Sequence, residues 1–282
     1  MSKTLDTRAE ELESLETIKF VSSALFDVSA EKIVRLRAAF EKNKEFYREI
    51  SELYDAIKYT AVQRGELPEK TPGTDRILLV AFTSNVRFYG SSNAEVMRTF
   101  SEAFSRSIAD GLIIGRTGKA FMENYPINPA RVTYRSFEGD EPTPKEMKDF
   151  LAEVDSYDEV HVFYPSFVSI FSQQVSSLDI THTLQEEMLA KRDTEIDYIF
   201  EPELPKILSF FETRVRHLLF QRIVLESELA RTAARLFAMN GAQDRAEREI
   251  SHVRRSVKKA INNFNDARLL ESFSAISKWK QH

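Results

Sequence analysis

Two long stretches free of helix breakers, one at each end of the chain, constrain this sequence more than any other feature. Residues 7–64 contain neither Gly nor Pro, and apolar side chains recur at Leu12, Leu15, Ile18, Val21, Leu25, Val28, Ile33, Leu36, Phe40, Tyr47, Ile50 and Tyr54. Steps of three and four residues are the spacing of one helix face. After Pro205 the chain runs to about Trp279 with no Pro and a single Gly, Gly241. Its apolar positions are Val215, Leu218, Ile223, Leu229, Leu236, Met239, Ile250, Val253, Val257, Ile261 and Phe264. At 1.5 Å per residue the second helix would reach roughly 110 Å and the first roughly 80 Å, too long for one globular core. Two amphipathic helices at opposite ends of a chain cover their apolar stripes most simply as an antiparallel coiled coil. Pairing of each helix with another protein, or a break at Gly241, would also satisfy the pattern.

Between the helices the period changes. Gly65 to Thr74 holds two Pro and two Gly, Pro68, Pro72, Gly65 and Gly73, which end the first helix. Ile77 to Phe82 is a continuous apolar run of strand length, as expected of a strand buried on both faces. Asn93 to Ala109 has helical spacing at Val96, Phe100, Phe104 and Ile108, and Leu112 to Ile114 reads as a second strand, so this is a parallel α/β unit. From Asn124 to Pro144 the segment reads as surface connections around a short strand at Val132 to Arg135. Lys145 to Val154 reads as a short helix and Glu159 to Tyr164 as a strand. Phe167 to Ser177 fits strand or helix, and its β-branched and aromatic alternation favours strand. The expected fold class is therefore mixed: a long antiparallel coiled coil plus a small Rossmann-like α/β middle domain. The expected segments are 1–66, 67–200 and 201–282.

Composition removes several functions. There is no cysteine, which excludes disulfides, thiolate metal sites and thiol nucleophiles. The five histidines, His161, His182, His217, His252 and His282, form no helical metal pair. A net charge of −5 gives no general attraction to nucleic acid or anionic lipid. The acidic start, Met1 to Glu16, lacks the basic and apolar regions of a signal peptide, so a cytoplasmic location is expected. No run approaches the roughly 20 apolar residues of a membrane span, so membrane association would go through a partner. Gly111 to Ala120 has the look of a phosphate loop but fails as one. Ile113 stands where a Walker loop needs Gly, and Ala120 follows Lys119 where Ser or Thr would reach magnesium. A plain strand-to-helix turn is expected there. The acidic run Glu138 to Pro142 has no ligand spacing and reads as solvated surface. No catalytic, cofactor or metal residue is assigned.

Specific motifs add a resemblance. Asp197-Tyr198-Ile199-Phe200-Glu201-Pro202 is similar to the Tyr-x-Phe/Tyr-Glu-Pro lead into the last helix of the gamma subunit of F-type ATP synthases. Ala234-Arg235-Leu236-Phe237-Ala238-Met239 through Asp244-Arg245-Ala246 resembles that family's Ala-Arg-Met-x-Ala-Met-x-x-Ala-Thr-Asp-Asn-Ala signature. Ala24 to Ile33 is similar to its Ala-Met-x-Met-Val-Ala-Ala-x-Lys-Met run. Ile113 to Lys119 and Phe167 to Gln173 resemble its Gly-x-Lys-Gly turn and Phe-x-Asn-Thr-x-Ser-Gln strand.

The resemblance implies a non-catalytic rotor shaft inside a hexamer of alpha- and beta-type nucleotide-binding subunits. It also implies an epsilon-type subunit and a membrane rotor ring, or a replacement, at the foot. Partner contacts would fall on Leu25, Val28, Lys32, Arg35, Arg235, Ala238, Met239, Asp244, Arg255, Lys259 and Asn262, with a foot loop at Arg87, Phe88, Tyr89 and Gly90.

Three departures mark a divergent member. The foot loop replaces small residues with aromatics. Ile261 and Asn262 stand where the family carries an Arg-Gln pair that hydrogen-bonds a catalytic subunit, and Ile has no donor for that contact. Phe20 and Ser23 replace usually basic or small-polar positions. The basic residues from Arg245 to Lys259 are either a charged contact or a solvated helix face. A static scaffold or a repurposed-motor component with the same fold is the alternative function.

Overall fold

A computed structural model describes residues 2–66, 76–125, 127–181, 201 and 203–279. The similarity at 197–202 therefore lies outside the described residues except for Glu201. The elements run α1 (Ser2–Arg64), β1 (Ile77–Phe82), α2 (Ser92–Ser105), β2 (Asp110–Ile114), α3 (Arg116–Met122), a 3-10 turn (Pro129–Arg131), β3 (Val132–Arg135), α4 (Pro144–Val154), β4 (Glu159–Phe167), β5 (Gln173–Asp179) and α5 (Leu204–Trp279). The two terminal helices have 63 and 76 residues.

The chain divides into two compact units, residues 1–28 with 236–282, and residues 29–235. In the first, α1 and α5 pack antiparallel. Glu16 pairs with Arg254 at 2.7 Å and Lys19 with Glu247 at 3.1 Å, so rising numbers on one helix meet falling numbers on the other. Their seam buries Ser22, Met239, Ala246, Ile250 and Val253, at the steps of three, four and seven that hold one face toward a partner helix.

The second unit is built on a five-stranded sheet of order β3-β2-β1-β4-β5, parallel except for the antiparallel β4–β5 pair. Helices cover both faces, which is why β1 reads as unbroken apolar sequence. Leu79 and Ala81 face Val96, Met97, Phe100 and Phe104 of α2. Leu78, Val80 and Phe82 face the other way, toward Phe150 of α4 and Val215, Leu219, Phe220 and Ile223 of α5. Further along the same two terminal helices, Tyr54, Ile57 and Ala61 of α1 meet Leu204 and Leu208 of α5. A capping box starts α4: Thr143 accepts from the Glu146 N–H while the Glu146 carboxylate accepts from the Thr143 N–H.

The segment 167–177 is not one strand. Phe167 ends β4, residues 168–172 turn, and β5 begins at Gln173. Ser169 makes this turn, its Oγ accepting from the N–H groups of Phe171 and Ser172. The helix expected to reach Ala109 stops at Ser105, where the Arg106 N–H turns back to the Ala103 carbonyl. Ile108, counted toward its apolar face, is 99% exposed.

The phosphate-loop lookalike is a packing device. Gly115 has φ 101° and begins the turn into α3. At Gly118 an added Cβ would lie 2.5 Å from Thr83 Oγ1 and 2.7 Å from Ile113 Cγ2. Gly118→Ala is therefore expected to destabilise the chain by about 1–3 kcal/mol through overpacking. Urea denaturation checks this, and an unchanged midpoint would contradict it.

Candidate functional site

Two surfaces emerge from this architecture, one on each unit. On the first unit, the expected contact residues fall into inward and outward sets. Met239 is buried in the helix seam, while Leu25 and Ala238 are half-buried. Val28, Asp244, Arg255, Lys259 and Asn262 are exposed. Large apolar side chains also stand in solvent on this unit, among them Phe20 at 75% exposure, Val28 at 60%, Phe237 at 56% and Leu270 at 67%. Ile261, in place of the polar pair, lines a shallow groove with Leu12, Arg254, Val257 and Lys258.

On the second unit the structure brings together residues that sequence reasoning kept apart. Lys32 of α1 donates to the buried Glu228 of α5 and lies 3.7 Å from Glu141. Arg35, exposed on the next turn of α1, helps Lys32 hold the Glu141 carboxyl below its ordinary range, an effect led by a hydrogen bond with Glu228. The acidic run 138–142 is therefore only partly solvated surface. Asp140 accepts from the Tyr89 hydroxyl and the Asn85 N–H, both at 2.6 Å, and Glu141 faces Glu228 and Lys32. Asn85 Nδ2 also donates to the carbonyls of Phe137 at 2.8 Å and Gly139 at 2.6 Å, tying the loop after β1 to the loop before α4.

The foot-loop residues divide in the same way. Phe88 projects into solvent at 64% exposure, and its φ of 71° is the only positive value at a non-glycine among the described residues. Gly90 follows with φ 59°. Between them Tyr89 is turned inward and 5% exposed. The Arg235 guanidinium lies 4.1 Å above its ring and donates to the Arg87 carbonyl at 3.3 Å, so this expected contact residue is engaged within the chain. Burial, then the bond to Asp140, pushes the Tyr89 hydroxyl well above the ordinary tyrosine range, which keeps it a neutral donor.

Glu228 and Arg231 carry no assignment in the sequence reading, and Asp140 enters it only as part of the acidic run read as solvated surface. Arg231 is fully buried, 5.3 Å from the centre of the Phe82 ring and 5.9 Å from that of Tyr89. Its guanidinium nitrogens have no hydrogen-bond partner among the described residues, and the charge is steadied by the rings and the fields of Asp140 and Glu228. Burial, reinforced by a hydrogen bond with Glu141, raises the Glu228 carboxyl to about 7 despite the ammonium of Lys32. A signal was present: Phe220, Val224, Ser227 and Arg231 follow one another at steps of four, three and four, so the arginine occupies a core position of the helix.

This cluster sits at the carboxyl end of β1, where strand order reverses and doubly wound folds receive nucleotides. Here the amides at the start of α3 are already engaged. The N–H groups of Arg116, Thr117 and Gly118 donate to Asn85 Oδ1, the Ser84 carbonyl and Thr83 Oγ1, each at 3.0 Å.

The architecture is thus a paired-helix unit made from both chain ends and a doubly wound domain whose switch point is closed by the chain's own groups. A sequence model of the ATP synthase family matches residues 4–261. The chain belongs to that family, on its gamma-chain branch. It is 24% identical over 250 residues to the ATP synthase gamma chain of Symbiobacterium thermophilum, covering 85% of this chain and 86% of the relative. It is 25% identical over 262 residues to that of Staphylococcus saprophyticus, covering 86% and 87%. Among solved structures it resembles a rotor chain of the Euglena gracilis mitochondrial ATP synthase, with TM-score 0.66 and 14% identity over 94% of this chain and 99% of that one. A central-stalk chain of the Tetrahymena thermophila mitochondrial enzyme gives TM-score 0.59 and 21% identity over 79% and 99%.

Proposed function

We propose that this chain is a non-catalytic shaft, turned inside a hexamer of alpha- and beta-type nucleotide-binding subunits and coupling that rotation to ATP hydrolysis or synthesis. The observation that carries the reading is the set of exposed apolar side chains spread along the unit formed by residues 1–28 and 236–282. A two-helix coil needs one apolar seam, and Phe20, Val28, Phe237 and Leu270 stand outside it. Such residues belong on a surface that a partner covers. One rod offering different side chains to equivalent subunits biases each toward a different conformation, which converts angle into catalytic state.

In this reading the chain contributes no catalytic group. Residues 1–66 and 201–282 form the shaft and 67–200 the foot domain. Val28, Asp244, Arg255, Lys259 and Asn262 meet the hexamer, and Arg87, Phe88 and Gly90 meet whatever lies below, an epsilon-type subunit and a membrane rotor ring or its replacement. The location is cytoplasmic and peripheral to a membrane through those partners; among the described residues no helix is long and apolar enough to cross one.

A second reading, a static scaffold with the same fold, draws on Ile261, 43% exposed where a polar catch would be expected. Val28→Asp and Phe237→Asp separate the two. A charge at a covered apolar contact is expected to weaken hexamer binding about tenfold or more and to reduce ATPase activity with it. Binding that weakens with no change in the ATPase activity of the assembled fraction favours the scaffold. Binding and activity both unchanged would overturn the shaft.

A further inference from the structure

We propose that Arg231, working through Tyr89 and Asp140, is a positioning residue that fixes the angular register of the α/β domain on helix α5, so that torque carried along α5 reaches the foot loop without slip. The proposal rests on the shaft reading and adds a role that no apolar contact on this face can fill.

Upstream of Arg231, α5 meets the sheet through Val215, Leu219, Phe220, Ile223 and Val224. Apolar burial is non-directional, and a helix face repeats itself each turn, so such a surface holds α5 tightly while specifying its register weakly. The next two turns of the same face carry charge. Glu228 and Arg231 are 1% and 0% exposed. There the guanidinium lies between the Phe82 and Tyr89 rings in the field of Asp140, and the carboxyl meets Lys32 and Glu141. A displacement of α5 by one turn would take the guanidinium away from both rings and Asp140 and the carboxyl away from Lys32 and Glu141, leaving two buried polar groups uncompensated, which is costly in a protein interior. A buried polar group that specifies register at the expense of stability is well attested where helices pack.

The loop side is built to match. Phe88 holds a backbone conformation that non-glycine residues avoid, and Gly90 holds another, which together turn Tyr89 inward. Its hydroxyl is anchored on Asp140, and Asp140 also holds the Asn85 N–H. Arg231 and Arg235, one helical turn apart on α5, share the Tyr89 ring. The helix thus grips one aromatic side chain at two levels, and that side chain is tied to two loops at the carboxyl edge of the sheet.

The chain has no cysteine, so Ile108→Cys, at a fully exposed position of the α/β domain, gives a unique attachment point for a bead. With the hexamer immobilised and ATP supplied, the angular spread of the bead within each dwell is measured at low and at high viscous load. In the I108C background, Arg231→Met keeps an unbranched apolar stem and removes the charge. It is expected to leave the unfolding temperature unchanged or raised and hydrolysis intact, while the angular spread at high load widens several-fold. A merely structural role would lower the unfolding temperature and leave the spread alone. Equal spread in R231M and its parent at high load would overturn the proposal. If R231M fails to assemble, Tyr89→Phe decides the matter, because it keeps the ring under both arginines and breaks only the bond to Asp140; an unchanged spread there overturns it equally. A parent bead that never rotates would instead sink the shaft reading itself.

Discussion

Replacing Phe220 with Ala is expected to destabilise the chain by about 3–5 kcal/mol, the range for truncating a large aromatic in a closed core. Phe220 is fully buried, its ring stacked on Phe150 at 4.3 Å and edge-on to Phe82 at 6.0 Å, so one side chain joins α5, α4 and β1. The loss combines the transfer energy of the ring with a cavity that three elements anchored elsewhere cannot fill by collapsing. Denaturant unfolding measures it, with Phe210→Ala as the control. Phe210 lies on the same helix at 66% exposure, and its truncation should stay within about 0.5 kcal/mol. Equal effects at the two positions would contradict the packing of α5 on the sheet.

The second large effect depends on pH. Glu228 binds its proton more tightly in the folded chain than in the unfolded one, because burial and the bond with Glu141 outweigh the pull of Lys32. Its contribution to stability is therefore fully present below the ordinary glutamate pKa and is lost as pH rises through about 7. A shift of this size corresponds to about 3 kcal/mol. Arg35 and Asp140 border the same cluster, and Arg231 sets a positive charge beside it. Glu141 has its carboxyl held low, so its own titration falls below this window. His217, lowered by burial and Arg214, contributes the opposite sign, stability lost as pH falls, and does so in wild type and variant alike. The difference between wild type and Glu228→Gln isolates the carboxyl. Wild-type stability should fall between about pH 5 and 8 more steeply than that of E228Q. Parallel profiles would contradict the assignment.

What the sequence revealed depended on how far away each residue's partners lay. The terminal helices, β1, β2 and the four residues of β3 could be read from local period, because apolar spacing and Pro-Gly punctuation are properties of neighbours. The turn at 168–172 was hidden because Val168, Ile170 and Phe171 imitate a buried strand while standing exposed, Phe171 at 79%. The end of α2 was misplaced for the same reason, since Ile108 has helical spacing and no burial. The charged cluster lay furthest from view. Asp140 meets Asn85 and Tyr89 from more than fifty positions away, and Lys32 meets Glu228 across 196. The helix spacing marks Arg231 as a core position, but nothing in that run names Tyr89 as the ring it meets. The foot loop shows both sides of this: its aromatics stand out as unusual in sequence, yet Phe88 is directed to solvent and Tyr89 into the chain's own interior.

The most direct test of the shaft is rotation. With a hexamer of nucleotide-binding subunits fixed to a surface and a bead on I108C, ATP should drive stepwise turning in one direction, stopping when ATP is exhausted. A complex that hydrolyses ATP at full rate while the bead stays still would contradict the account.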